Sequence, residues 1–423
     1  MRDAADQATV AIVGINYPPE RTGIAPYTGA MARALARRGC DVHVVTAQPH
    51  YPEWHVYDGY RRWRSDSVDE RVGVRRLLHY VPGHPHGIER LVSEMSLGVR
   101  MALDGSWRHR DALVLVSPAM FSSAMVSAWA RLWAPRMEQV VWIQDLYGRG
   151  WTENGGGGAI ARIIHTVEGR LLRRADRLVV IHERFKKVVC EEYGVDPDRI
   201  EVVRNWTHLA SHAPIDRPSA RAELGWGSET VLLHAGNMGV KQGLDHVIEA
   251  ARVAAERGER LRFVLVGDGS ERESLEALAA GLENVDFLDS LDDEAYRRAL
   301  VAADVLLVHE KPGIAEMAVP SKLTSYFDAA RPVLAVTDPM GITAEEVRTA
   351  GAGDVVPSGD PSALVDAALE LARDQLRAVR LGAAGRAHRE AVLSEGAAVE
   401  RFAGVLGLDP VEEPVVRRAP KAA

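Results

Sequence analysis

Short apolar, β-branched runs alternate with amphipathic stretches along most of this chain. "TVAIVGI" at 9–15 reads as a buried parallel strand, because strands covered on both faces are near-continuously apolar. A loop with Pro18, Pro19 and Gly23 follows. "YTGAMARALARRGCDVHVVTA" then supplies a helix stopped at Gly39 and a second strand over 42–45. Further strands are predicted at 111–117, 139–145 and 175–182. The pattern restarts with strands at 230–236, 261–269, 284–288, 303–310, 332–337 and 353–357, separated by stretches of helical spacing such as "GLDHVIEAARVAAERG". Strands alternating with helices imply parallel sheets covered on both sides, and two such series imply two Rossmann-like α/β domains. The predicted division is a first domain over 1–206, a polar, Pro-containing linker over 207–229 and a second domain over 230–392. A last helical stretch over 393–410 and a disordered tail over 411–423 complete it.

Composition narrows this picture. At 423 residues two domains are expected. With 47% hydrophobic and 26% charged residues, the chain has the make-up of a soluble globular protein. A net charge of -8 argues against a general nucleic-acid binder. Cys40 and Cys190 are the two cysteines and neither has metal-ligand spacing around it, which suits a reducing cytoplasm and no metal site. The opening "MRDAADQATVAIVGI" is a poor signal peptide. The longest apolar patch, "PAMFSSAMVSAWARLWAP", is broken by Ser122, Ser123 and Arg131, so membrane contact is expected to be peripheral. Neither H-E-x-x-H nor G-x-S-x-G occurs, which leaves a metalloprotease or serine hydrolase without support.

In open α/β sheets ligands sit at the carboxyl ends of the strands, so the loops there carry the candidate chemistry. "NMGVKQGLDHVIEAA" at 237–251 places Lys241 between Gly239 and Gly243 ahead of a helix. Two glycines allow close approach of the backbone, and a helix start with a Lys suits a phosphate; an ordinary strand–turn–helix corner fits as well. "VGDGSER" at 266–272 offers Gly267 and Gly269, but Arg272 occupies the third glycine position of a dinucleotide fingerprint, so a tight turn is the better reading. In "EMAVPSKLTSYFDAARPVLAV" Pro320 opens a helix whose next N–H groups, from Ser321, Lys322 and Leu323, form a second candidate anion cradle. Two cradles after strands of the same domain point to a diphosphate. Gly23, in "INYPPERTGIAPYTG", would let the first domain's backbone touch a ligand, or is a plain βα connection. Asp145, in "QDLYGRGW", would hydrogen-bond hydroxyls, act as a base or cap the next helix. "YDGYRRWR" at 57–64 interleaves aromatics with Arg61, Arg62 and Arg64, which suits an anionic membrane surface or a solvated loop.

These stretches, from about residue 9 to residue 340, resemble the GT-B glycosyltransferases of family 4, among them colanic-acid-type and fucosamine-transferase-like enzymes. The resemblance is carried by "GINYPPERTGIAPYTGAMARALARRGCDVHVVTAQPHYPEW", "VWIQDLY", "VVRNW", "LLHAGNMGVKQGLDHVIEAA", "FVLVGDGSERESLEALA" and "VPSKLTSYFDAARPVLAV". It implies the GT-B fold, with two parallel-sheet domains facing a central cleft and the last helix crossing back to the first domain. It also implies a nucleotide-sugar transferase, retaining and without metal or other cofactor. Asn237, Lys241, Gln242, Gly267, Ser321, Lys322 and Leu323 would bind the donor in the second domain, with Gly23 approaching it from the first. Lys241 would stabilise the leaving diphosphate, and Asp145 would contact donor or acceptor hydroxyls. Many members carry two glutamates seven residues apart at the donor site; here those places hold Met317 and Ser325, with Glu316 one position away as the candidate to hold the donor sugar. Where many relatives have His, position 144 is Gln, and where many have Ser, position 182 is His.

The expected activity is therefore transfer of a sugar, from a UDP-linked donor, to a hydroxyl of a glycan, lipid-linked saccharide or small metabolite. The setting is polysaccharide biosynthesis in the cytoplasm, with the inner membrane surface as a candidate peripheral partner and no nucleic acid. The alternatives are a nucleotide-sugar epimerase of the same fold, separable by its products, and a non-catalytic partner that retains only the fold.

Overall fold

The computed structural model describes residues 7–21, 23–83, 88–146, 158–206, 215–312 and 322–408. The chain divides into two compact units, Met1–Asn205 with Glu395–Ala423, and Trp206–Ser394.

The first unit is built on eight strands, β1 (Thr9–Val13), β2 (Asp41–Ala47), β3 (Arg64–Asp69), β4 (Val72–Leu77), β5 (Ala112–Val116), β6 (Glu138–Ile143), β7 (Arg177–Val180) and β8 (Ile200–Val202). Its helices are α1 (Ala25–Arg37), α2 (Ile88–Asp104), α3 (Met120–Trp133), α4 (Ala159–Arg174) and α5 (Glu183–Tyr193). The sheet order is β3-β4-β2-β1-β5-β6-β7-β8. Every pairing is parallel except β3 with β4, an antiparallel edge. β1 and β5 are buried along almost their whole length, as the apolar runs predicted. The pattern does not reveal β3, β4 or β8. β3 is an edge strand with four of its six residues exposed, so it has no apolar face to betray it. β4 carries only alternate burial in its first half, and β8 is three residues long.

In the second unit α6 (Arg217–Glu223) precedes β9 (Thr230–Ala235), α7 (Asp245–Glu256) and β10 (Leu261–Val266). There follow α8 (Arg272–Leu278), β11 (Val285–Leu288), α9 (Asp293–Ala302) and β12 (Val305–His309). The rest comprises α10 (Lys322–Asp328), β13 (Val333–Val336), α11 (Ile342–Ala350), β14 (Gly353–Val356), α12 (Pro361–Arg373) and α13 (Gln375–Val392). The sheet is wholly parallel in the order β11-β10-β9-β12-β13-β14. Alternate residues of β9 feed opposite cores: Val231, Leu233 and Ala235 pack on one face, Leu232 on the other. Within 207–229, read from the sequence as linker, α6 is a helix capped by the Asp216 carboxylate, and Ala220 and Trp226 are buried in this unit's core. Arg217 and Arg221 both pair with Asp304, tying α6 to the start of β12.

The chain returns to the first unit at α14 (Glu395–Val405), where Phe402 packs edge-on against Trp142 of β6 at 5.1 Å between ring centroids. Arg38 holds the same helix from α1 through a two-pronged contact with Glu400. Both sheets reverse their order beside their first strand, at β1/β5 and at β9/β12, and such switch points open a crevice at the strands' carboxyl ends.

Candidate active site

In the second unit the loop from Gly236 to Leu244 leaves β9 at that switch point. Val240–Gln242 forms a single 3-10 turn, and the Gln242 side-chain carbonyl accepts from the Gly239 N–H at 3.1 Å and the Asn237 amide at 3.3 Å. Asn237 and Gln242 thus brace the loop against each other. The Lys241 carbonyl accepts from the Lys311 N–H at 2.9 Å, and the Gln242 carbonyl accepts from His309 Nδ1 at 2.7 Å. His309 ends β12 and burial pushes its pKa down to about 4, so the ring is neutral and acts as a donor to the turn. The carbonyls of Lys241 and Gln242 are therefore both held while the Lys241 side chain is exposed.

A second loop, after β10, is zipped onto the first. Gly236 N–H donates to the Val266 carbonyl, Met238 N–H to the Asp268 carbonyl, both at 2.8 Å, and Glu271 N–H to the Met238 carbonyl at 2.9 Å. Gly267 has φ +131 and no room for a side chain: a Cβ there would lie 2.1 Å from the Gly236 carbonyl oxygen. Arg272, in the third fingerprint position, folds back to donate to the Gly267 carbonyl at 2.9 Å and pairs with Asp289 and Glu276. It serves as a strut for the turn.

Lys322 opens α10, and its Nζ lies 3.3 Å from His234 Nε2. The structure therefore gathers Asn237, Lys241, Gln242, Gly267 and Lys322 at adjoining loops of one unit. Leu323 is completely buried, so its side chain belongs to the core and only its main chain lies at the helix start. Glu316 and Ser321 lie outside the described residues. Glu310, the acid directly after β12, is buried and accepts from the hydroxyls of Thr337 and Thr343, so it locks the strand ends together.

Gly23 and Asp145 belong to the first unit, where both line a cavity of about 410 Å³ at the carboxyl ends of β1, β2, β5 and β6. Glu20, almost fully buried, organises one wall. Its carboxylate accepts from the Asn16 amide at 2.9 Å and from the N–H groups of Tyr17, His50 and Tyr51, clamping the loop after β1 to the loop after β2. Tyr27, Tyr51 and Trp54 supply aromatic surface, and Arg90 and Glu94 of α2 supply charge. Asn205 Nδ2 donates to Gln144 Oε1 at 2.9 Å. That leaves Gln144 Nε2 and Asn205 Oδ1, one donor and one acceptor, buried without a hydrogen-bond partner among the described residues. Such a pair suits a hydroxyl, which can accept from one amide and donate to the other. Behind the wall His79 packs on His50 with ring centroids 4.9 Å apart, and burial, with the charges of His50 and Arg100, pushes its pKa down to about 3.

The strand-end rule led to the loops but not to Glu20, His234 or His309. Histidines closing apolar strands read as core residues, and their partners come from other strands. Among the described residues no group of three or more His, Cys, Asp or Glu could hold a metal ion, and no helix is long and apolar enough to cross a membrane.

Two parallel-sheet α/β units define the class of fold, and comparison with known proteins agrees and supplies the family. Residues 22–206 match the family model of the glycosyl transferase 4-like domain and residues 229–374 that of the glycosyl transferases group 1. The chain belongs to these glycosyltransferases and has the GT-B fold. It is 33% identical over 351 residues to the putative colanic acid biosynthesis glycosyl transferase WcaI of Escherichia coli, spanning 79% of this chain and 83% of that one. A D-inositol 3-phosphate glycosyltransferase of Kineococcus radiotolerans is 27% identical, over 92% and 93% of the two chains. Among solved structures, sucrose-phosphate synthase from Thermosynechococcus elongatus superposes with a TM-score of 0.69 at 18% identity, covering 95% and 98%. HepE of Anabaena in complex with UDP superposes with a TM-score of 0.68 at 15% identity, covering 95% and 100%.

Proposed function

We propose that this glycosyltransferase takes its sugar from a UDP-linked donor held in the second unit. In this reading it passes the sugar, with retention and without a metal or other cofactor, to a hydroxyl of a glycan, lipid-linked saccharide or small metabolite. The observation that carries the reading is the gathering of Lys241, on the braced loop after β9, and Lys322, which opens α10 and whose ammonium lies over Gly236 of that loop. Breaking the bond between the anomeric carbon and the phosphate oxygen leaves an electron-poor sugar and a diphosphate whose charge grows as the bond stretches. Cations fixed in advance stabilise that charge without reorganising. Asp145 then contacts donor or acceptor hydroxyls and Glu316 holds the donor sugar. The first-unit cavity, with its aromatic walls and its amide pair, receives the acceptor. That HepE was captured with UDP and with UDP-glucose supports the choice of nucleotide.

A thermal-shift screen with UDP, GDP, ADP and dTDP tests this. A ligand at about 100 times its Kd stabilises the native state by about 2.7 kcal/mol, which raises the midpoint of a unit of this size by roughly 5 to 10 °C. UDP is expected to give that rise. A rise with GDP, ADP or dTDP alone would overturn the choice of base, and no rise with any of the four would overturn the donor site.

The membrane partner is assigned to the outer face of α2. Val92, Met95, Val99 and Leu103 recur there at helical spacing and all are exposed. Trp63, 71% exposed, continues the face: the Arg100 guanidinium lies 3.4 Å over its ring and donates to its carbonyl. Arg61, Arg62 and Arg64 flank it, also exposed. An apolar stripe edged by arginines suits an anionic bilayer surface. Vesicles rich in phosphatidylglycerol should sediment the protein, phosphatidylcholine vesicles should not, and Val99→Asp with Leu103→Asp should abolish the binding. Equal recovery with both lipids, or with the double variant, would remove the assignment.

A further inference from the structure

His234 is the last-but-one residue of β9, completely buried, and no part of the sequence pattern sets it apart from the apolar residues around it. Its Nε2 faces the Lys322 ammonium at 3.3 Å. Burial, with the neighbouring charge of Lys322, holds its pKa well below the ordinary histidine range, so the ring is neutral. An ammonium can only donate, so Nε2 carries the lone pair and the ring proton resides on Nδ1. A neutral imidazole here adds no charge of its own and offers one fixed acceptor.

The next residue grips the same helix. The Ala235 N–H donates to the Tyr326 hydroxyl at 2.8 Å, and Tyr326 is fully buried. Consecutive residues at the end of β9 thus hold positions four apart on α10, where i and i+4 share one face. Tyr326 fixes the helix itself, and His234 meets the charged tip of a side chain with four rotatable bonds. Where that tip lies is set by Gly236. A Cβ at 236 would come within 3.3 Å of both Lys322 Cε and Nζ, so the ammonium rests over the first residue of the loop that carries Lys241.

We propose that His234 is the positioning residue of the donor site, holding the Lys322 ammonium over Gly236 so that it meets the diphosphate beside the Lys241 turn. The inference rests on the donor-site reading above. A free lysine chain would lose rotamer entropy on meeting its ligand, and His234 removes part of that loss beforehand. Main-chain contacts with Asn237 and Leu307 also seat the ring, but it acts on the ligand through Lys322, which separates it from a merely structural histidine.

The test is a double-mutant cycle read as UDP affinity by calorimetry on the full chain: wild type, His234→Leu, Lys322→Met and the double variant. His234→Leu should weaken UDP about 10-fold, the scale of one hydrogen-bonded charge contact. Lys322→Met should weaken it at least as much, and adding His234→Leu to Lys322→Met should cost nothing more. His234→Gln, which keeps an acceptor oxygen, should stay within about 3-fold of wild type on the same basis. An unchanged affinity in His234→Leu, a further loss of similar size in the Lys322→Met background, or a His234→Gln variant as weak as His234→Leu would overturn the proposal. Should His234→Leu not fold, His234→Ala takes its place in the cycle with the same expected losses and the same overturning results. A wild type that does not bind UDP removes the donor-site reading first, and this inference with it.

Discussion

Lys241→Ala is expected to lower turnover by about 100- to 1,000-fold, the range for removing one fixed charge-stabilising donor from a transition state. Stability should hardly change. The Lys241 side chain is exposed and, among the described residues, no hydrogen bond depends on its ammonium; its carbonyl, which accepts from Lys311, survives the substitution. Surface changes of this kind stay within about 0.5 kcal/mol. Steady-state transfer assays beside a thermal melt check both halves. Near wild-type turnover would remove Lys241 from the chemistry, and a large drop in midpoint would show that the loop, not its charge, had been lost. Lys241→Arg should keep part of the activity, because a guanidinium restores the charge with a different reach and geometry.

The second large effect is expected at Gly267. Gly267→Ala places a methyl 2.1 Å from the Gly236 carbonyl oxygen, and the obstacle is backbone that cannot rotate away. The residue would also have to hold φ +131, which L side chains rarely adopt. Overpacking and a forced φ each cost about 1 to 3 kcal/mol, so a loss of about 3 kcal/mol or more is expected, roughly 6 to 12 °C in the midpoint. The three hydrogen bonds that zip the loops after β9 and β10 would part, and UDP binding should go with them. Gly258→Ala is the control. It too has positive φ, but a Cβ there meets nothing within 4 Å, so only the conformational cost of about 1 to 2 kcal/mol remains. Equal midpoints for the two variants would mean that the loops tolerate separation.

The candidate site was only partly legible. Lys241 stands out as a lone cation between two glycines after an apolar strand, whereas Asn237, Gln242 and Gly267 join the donor set only through the family resemblance. Lys322 follows Pro320 at a helix start. The role of Asn237 and Gln242 as mutual braces was not legible, since it depends on the 3-10 turn that brings their amides within 3.3 Å. Glu20 sits in a Pro-rich loop and gives no hint that it gathers N–H groups from residues 50 and 51, thirty positions on. The basic-aromatic stretch at 57–64 was visible, yet the apolar stripe on α2 beside it could be known as exposed only once α2 and α3 had packed.

What the sequence determined by itself is the alternation of elements and the division into two sheets. Strands buried on both faces must be apolar throughout, and helices lying over them must be apolar on one side, so both leave a local pattern. Edge strand β3 leaves none, because solvent on its outer side removes the constraint. The tertiary structure alone decided which strand ends meet. The order β10-β9-β12 puts the loops after residues 235, 266 and 309 side by side, and it brings α10 against the end of β9. His234 and His309 acquire their tasks only there: a histidine's partner, its tautomer and its charge are set by neighbours about seventy or ninety residues away in the chain, through contacts and burial that no local spacing records.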